Sequence, residues 1–315
     1  MKELFRDSLL EEHINFEKER IHVLTALFGA TCQKENKILI EMSKSIELMK
    51  AATLIIDDFL DKADKRNGIP SIFYEKGPEE AVLIGEILKS CSLQDFMVNI
   101  ERLDLSTKRK FECIKLFEQV YKTVCIGQLE DMILEKKNLE KDFVTVEDFF
   151  SMIRKTSAVF IQFPVILGSF IGNFSEKEKE NLKEFGIKIG LAYQLRDDVL
   201  DVLGDQDYIG KFVGGDIREK KKRILLLLAL KNCSDEERKK LIRIYSPEHL
   251  ITDEDVCEVI KIFNKTKAIS KCISLVEKYC QEAILHLEVI KNKEVRQQLK
   301  DIAWLLTRFE DLPKQ

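Results

Sequence analysis

The sequence predicts an all-α fold in a single domain, and three observations carry that prediction. Proline, which breaks helices, occurs only five times in 315 residues, at Pro70, Pro78, Pro164, Pro247 and Pro313. The long runs left between the prolines are rich in Leu, Glu, Lys, Ile and Ala, residues of good helix propensity, and strand-type alternation closed by Gly and Asn turns is absent. Where the periodicity is clearest, Leu182, Phe185, Ile189, Ala192, Val199 and Val202 recur at three and four residues, the pattern of a helix that buries one stripe.

In chain order, the first break is Asn67-Gly68-Ile69-Pro70-Ser71, followed by Lys76-Gly77-Pro78. Residues 157–172 are the most apolar stretch and contain Gln162, Pro164 and Gly168; they read as a buried helix too short to span a bilayer. The next break starts at Gly204-Asp205-Gln206-Asp207 and runs on through Gly210-Lys211-Phe212-Val213-Gly214-Gly215-Asp216, and a last one lies near Ser246-Pro247. None is long enough to link two domains, so residues 1–315 read as one domain, and 45% hydrophobic residues supply a sizeable core. Residues 1–12 are charged and do not read as a signal peptide.

Net charge is −4 with acids and bases well mixed, which argues against a nucleic-acid partner. Eight cysteines show no Cys-x-x-Cys spacing and there are only four histidines, which argues against zinc. Dispersed thiols suit small core positions and a reducing, cytoplasmic setting.

The chemistry concentrates in two segments. On a helix, Asp57 and Asp61 of Asp57-Asp58-Phe59-Leu60-Asp61 share one face, with Asp58 about 100° round from Asp57. Like charges so placed among apolar residues repel, and hard cations with oxygen ligands offset that cost. Tyr193-Gln194-Leu195-Arg196-Asp197-Asp198-Val199-Leu200-Asp201 repeats the spacing. Two facing carboxylate clusters holding magnesium would suit a diphosphate, because magnesium takes few carboxylates and several phosphate oxygens. Basic residues follow each cluster: Lys65-Arg66, then Lys211 and Lys220-Lys221-Lys222-Arg223, cations suited to phosphate oxygens. Taken alone, the last run reads as a solvated surface.

With these motifs the chain resembles the trans-isoprenyl diphosphate synthases, or polyprenyl synthetases, from about residue 40 onward. Asp57-Asp58-x-x-Asp61 with Arg66 and Gly68-Ile69-Pro70-Ser71 resembles the family's first motif. Gln194-Leu195-Arg196-Asp197-Asp198-x-x-Asp201 with Gly210-Lys211, Gly214 and Asp216 resembles the second. Gly85-Glu86, Gly127-Gln128 with Asp131, and Lys155-Thr156 stand at further family positions. Lys221 stands at another, although the family's preceding glycine is Lys220 here. The resemblance implies a bundle of roughly a dozen helices around a deep central cavity, usually a homodimer, with about three magnesium ions. Asp57, Asp61 and Asp197 would ligate magnesium directly, with Asp58, Asp198 and Asp201 in support. Arg66, Lys155, Lys211 and Lys221 would hold an allylic prenyl diphosphate, and Gln194 would sit beside the reacting carbons. An allylic carbocation would then be attacked by isopentenyl diphosphate.

The pattern departs at the second substrate. The family's Gly-Gly-Lys-x-x-Arg-Pro is replaced by Phe16-Glu17-Lys18-Glu19-Arg20-Ile21-His22, its histidine by Lys50, and the second of its paired arginines by Asn67. Lys50 lies within about 20° of Asp57 on a helical wheel, so Lys18, Arg20 and Lys50 could rebuild an anion site. Alternatively the enzyme ionises an allylic diphosphate without isopentenyl diphosphate, to cyclise it, eliminate a proton or serve another acceptor. A third reading is a non-catalytic subunit of a heteromeric synthase, although all six aspartates are retained. In the family, bulky residues just before the first motif stop chain growth. Here Ala52 and Thr53 are small and Met49 stands about 12 Å above Asp57, which implies a product of C20 or longer.

Overall fold

The computed structural model describes residues 36–66, 69–140, 144–172, 174–203 and 213–309. Lys18, Arg20, Asn67, Gly68, Gly210 and Lys211 lie outside them. Helix α1 (Asn36–Asp61) stops where Lys62 takes a left-handed φ of 55°. A four-residue antiparallel hairpin follows, β1 (Lys65–Arg66) on β2 (Ile69–Pro70), with Arg66 opposite Ile69. The hairpin adds a local fold-back, short of any strand pattern readable in the sequence. Ser71 Oγ accepts the Tyr74 N–H to cap α2 (Ile72–Lys76), and Gly77, at φ 88°, hands over to α3 (Pro78–Glu101). Ser106 caps α4 (Thr107–Lys136).

A reciprocal Thr145–Asp148 cap starts α5 (Val146–Ile153), which runs through a π turn (Arg154–Ala158) into α6 (Val159–Ile171). Then come α7 (Glu176–Leu203), the short α8 (Gly215–Arg218), α9 (Ile224–Leu230), α10 (Asp235–Ile244), α11 (Asp253–Lys265), α12 (Ala268–His286) and α13 (Lys293–Thr307). Capping boxes at Ser234 and Thr252 begin α10 and α11; each such N-cap is worth about 1 kcal/mol.

Helix α7 is central, packed on α6 and α12, and its stripe Leu182, Phe185, Ile189, Ala192, Val199 and Val202 is buried as the periodicity predicts. One core cluster gathers Phe149, Leu195, Val199, Ile224, Phe263 and Cys272. Another fills the space between α1, α3, α4 and α6, where Phe96 stacks on Phe117 at 4.3 Å and Phe163 meets Phe117 edge-on. Each fully buried Leu or Phe contributes about 1.5–3 kcal/mol.

Because the π turn continues the helix without ending it, the apolar stretch belongs to a continuous Val146–Ile171 helix, longer than the sequence reading allowed. Among the described residues it is the one helix long and apolar enough to cross a membrane. Its side chains are spent on the protein core, from Phe149 and Met152 to Phe163 and Val165. Of the described cysteines, all free, Cys91, Cys113, Cys272 and Cys280 are buried core residues, whereas Cys125 and Cys257 are exposed.

Candidate active site

The last turn of α1 presents Asp57, Asp58 and Asp61. Asp58 is 1% exposed and its charge is met by Arg66, which the hairpin folds back onto the helix. Arg66 Nε donates to Asp58 Oδ1 at 2.8 Å and Nη2 to Asp57 Oδ2 at 3.0 Å. From α4, Gln128 Nε2 donates to Asp57 Oδ1 at 2.5 Å. Removing one partner from a buried pair such as Arg66–Asp58 costs about 3–5 kcal/mol.

The second cluster stands on α7. Gln194 Nε2 donates to Asp198 Oδ1 at 2.8 Å, one helical turn away. Asp198 Oδ2 is buried and makes no hydrogen bond. Asp201 Oδ2 accepts the Asp216 N–H at 3.2 Å, and its backbone carbonyl accepts the Gly214 N–H at 2.7 Å. Gly214 sits at φ 79°, the left-handed region that glycine enters without strain. The chain thus returns onto the end of α7 and brings the basic run to the aspartates.

That run is not a solvated surface. Lys221 and Lys222 are 3% and 4% exposed. The reason is that their partners, acidic side chains for Lys221 and a backbone carbonyl for Lys222, come from α1 and α4, remote in sequence. Lys221 Nζ meets Asp61 Oδ1 at 2.7 Å, Asp131 Oδ2 at 3.9 Å and Glu135 Oε1. Lys222 Nζ donates to the Glu135 carbonyl at 2.6 Å. Arg223 Nη1 meets Asp131 Oδ2 at 3.2 Å, and its Nε lies 3.6 Å from Asp216 Oδ1. Lys220, standing at the family's glycine position, adopts φ 55° and donates to the carbonyls of Ser246 and His249. Arg223 and Glu135 were not singled out as site residues from sequence; the signals available were the end of the Lys run and the four-residue step from Asp131.

Lys155 rides on the π turn and pairs with Glu130 Oε2 at 2.8 Å and Ser151 Oγ at 2.6 Å rather than with an aspartate. Two glycines admit that turn: a Cβ on Gly127 would lie 2.7 Å from Lys155 Cβ, and one on Gly190 would lie 2.5 Å from Ala158 Cα. Lys50 places its ammonium over the Phe160 ring, 5.6 Å from the centroid. Thr53 Oγ1 donates to the Lys50 carbonyl, Met49 is sealed into the aromatic cluster, and Ala52 is sealed into the α1–α3 seam, its carbonyl close against Gly85.

The six motif aspartates, Asp131, Glu135 and Asp216 outnumber the cations set among them, Arg66, Lys221, Lys222 and Arg223, among the described residues. Burial, then the charge of Asp57, pushes the Asp61 carboxyl up to about 7 against the pull of Lys221. Burial, then Asp216, pushes Asp198 up to about 8. Among the described residues no three acidic, thiol or imidazole side chains close into a metal cage. The donor set nonetheless fits a hard divalent ion: all oxygens, in excess over their cations, with the buried Asp198 Oδ2 unpaired, and open to waters and phosphate oxygens for the remaining ligands.

Known proteins resemble this chain in sequence and fold. Residues 18–263 match the family described as Polyprenyl synthetase. The short chain isoprenyl diphosphate synthase of Methanocaldococcus jannaschii is 33% identical over 259 residues, 82% of this chain and 75% of its own length. Heptaprenyl diphosphate synthase component 2 of Bacillus subtilis is 29% identical over 82% of this chain and 69% of its own. The crystal structure of geranylgeranyl pyrophosphate synthase from Corynebacterium glutamicum, complexed with isoprenyl diphosphate and magnesium, aligns with a TM-score of 0.82 at 26% identity, covering 94% of this chain and 88% of that one. With its fold, its paired aspartate segments and these relatives in agreement, the chain belongs to the polyprenyl synthetase family and is a trans-prenyltransferase, an isoprenyl diphosphate synthase.

Proposed function

We propose that this enzyme condenses an allylic prenyl diphosphate with isopentenyl diphosphate in a magnesium-dependent reaction, giving a trans-prenyl diphosphate of C20 or longer. The observation that carries the reading is the acid-rich junction where Lys221 pairs with Asp61 of the first aspartate segment and Arg223 lies between Asp131 and Asp216, the latter docked on Asp201 of the second. When bound, magnesium would neutralise the diphosphate and make it a better leaving group. Asp57, Asp61 and Asp197 would hold it, backed by Asp58, Asp198 and Asp201, with about three ions per site as the family resemblance implies.

The chain's own residues do the rest. Arg66, Lys155, Lys211 and Lys221 hold the allylic diphosphate, and Arg66 also keeps Asp57 and Asp58 from repelling each other. Gln194 sits beside the reacting carbons and donates a hydrogen bond to Asp198. The allylic C–O bond breaks with its electron pair going to the diphosphate, the double bond of isopentenyl diphosphate attacks the cation, and the released diphosphate takes the final proton. Lys50, half-buried over Phe160, supports a rebuilt anion site, which Lys18 and Arg20 would complete. Chain length is set by Met49, Ala52 and Thr53, although the place of Ala52 in the α1–α3 seam favours a packing role for it. Residues 1–315 act as one domain, and the free thiols support a cytoplasmic setting.

Incubation with C5, C10, C15 and C20 allylic diphosphates, with and without isopentenyl diphosphate, tests the reading. Elongation is expected only when both substrates are present. Diphosphate release without isopentenyl diphosphate, yielding hydrocarbon or alcohol, would favour the terpene-synthase-like alternative. The name of the B. subtilis relative, one component of a synthase, favours a second reading in which the partner is a different polypeptide; turnover only after a partner is added would support it. Asp57→Ala and Asp197→Ala are each expected to lower magnesium-dependent diphosphate release at least about a hundredfold, and retained activity in either would sink the mechanism.

A further inference from the structure

Among the described cations of the junction, Arg223 is the one that lies against both Asp131 of α4 and Asp216 of α8. Its guanidinium meets Asp131 of α4 at 3.2 and 3.4 Å through Nη1 and lies 3.6 Å from Asp216, which docks on Asp201 of the second cluster. Burial works against its charge, yet Asp131, Asp216, Asp198 and Asp57, in that order, hold it well above its ordinary range. Those four carboxylates come from three helices and the segment at α8, and they include one member of each aspartate motif. The side chain is about one-fifth exposed and rests on Met152 Sδ, so it has little freedom to leave. By contrast Arg66 is committed to the first cluster alone and Lys221 to Asp61 and α4.

We propose that Arg223 is a positioning residue for the prenyl transfer: a fixed cation between the two aspartate clusters that holds Asp131 and Asp216 in place and carries neutralising charge which would otherwise fall to metal ions. A planar guanidinium suits the task better than an ammonium, because its fork can address two carboxylates at once without losing its proton. The consequence is a site whose carboxylates tolerate one another before any divalent ion arrives, and whose magnesium requirement is set partly by the chain itself.

The inference rests on the prenyl-diphosphate reading for its kinetic arm only, so a melting arm without substrate separates the two. Thermal unfolding of the full chain is followed while magnesium is titrated in. In Arg223→Gln the midpoint of the magnesium-induced rise in Tm is expected to fall at least threefold, because the metal no longer competes with a resident cation. In Arg223→Lys, which keeps the charge and loses the fork, the midpoint is expected to stay within twofold of the parent while kcat falls several-fold with little change in KM for the allylic substrate. If Arg223→Gln does not fold alone, recovery of a cooperative transition on adding magnesium supports the proposal, and failure of magnesium to restore one overturns it. A lowered Tm in Arg223→Gln with an unchanged magnesium midpoint also overturns it, leaving Arg223 a packing residue.

Discussion

Asp61 and Asp198 have settings that oppose their charge, and the sign of the resulting pH dependence is definite. Their folded values, about 7 and about 8, lie above the ordinary 3.8, so the folded protein holds protons that the unfolded chain releases above about pH 4. Their contribution to stability is complete below that pH and is lost as pH rises through 7 and 8. In the absence of divalent ions, Tm is expected to fall by about 3 °C or more between pH 6 and 8.5, with Asp198→Asn removing much of the slope; a flat profile would contradict the burial argument. Since metal ligands must be deprotonated, the rise in Tm on adding magnesium is expected to grow over the same range. Carboxylates held below their usual range, such as Asp255 and Glu178, titrate at lower pH and leave this window alone. At this scale the sequence was legible where function rides on local spacing: Asp57 with Asp61 and Asp198 with Gln194 are helical neighbours. Arg223 and Glu135 were illegible because their meaning comes from tertiary partners, Asp131 and Lys221.

Helix α1 shows how an element divides its faces. Ala52 faces α3, Met49 faces the aromatic cluster and Thr53 shares the side of Asp57. Thr53→Phe is therefore expected to shorten the main product by one or more C5 units, and an unchanged product distribution would place the floor elsewhere. Ala52→Phe is expected instead to wedge α1 from α3, where overpacking costs about 1–3 kcal/mol. The long helices were legible from periodicity and scarce proline. The π turn was not, because one extra residue per turn leaves an apolar stretch unchanged in composition; only Lys155 and Thr156 against Gly127, and Ala158 against Gly190, give it away.

For the whole molecule, the bundle was legible as a class and its surfaces were not. Leu83 and Ile87 on α3, and Leu129 and Ile133 on α4, are exposed at four-residue steps, apolar stripes that suit pairing with a second copy. If two copies pair through this face, Leu129→Lys with Ile133→Lys halves the mass seen by light scattering, and an unchanged mass would remove this face from consideration. The carboxylate excess at the junction of α1, α4 and α7 has a consequence of another kind, for the encounter between enzyme and substrate. A prenyl diphosphate diffusing in is a polyanion approaching a negative mouth, so long-range forces steer it away until small cations accompany it. Salt screens over about 8 Å at physiological strength. With a chelator present, the association rate of a fluorescent prenyl diphosphate is thus expected to rise with ionic strength, and with saturating magnesium to fall with it. The lipid's speed of arrival is then governed by the ions that travel beside it.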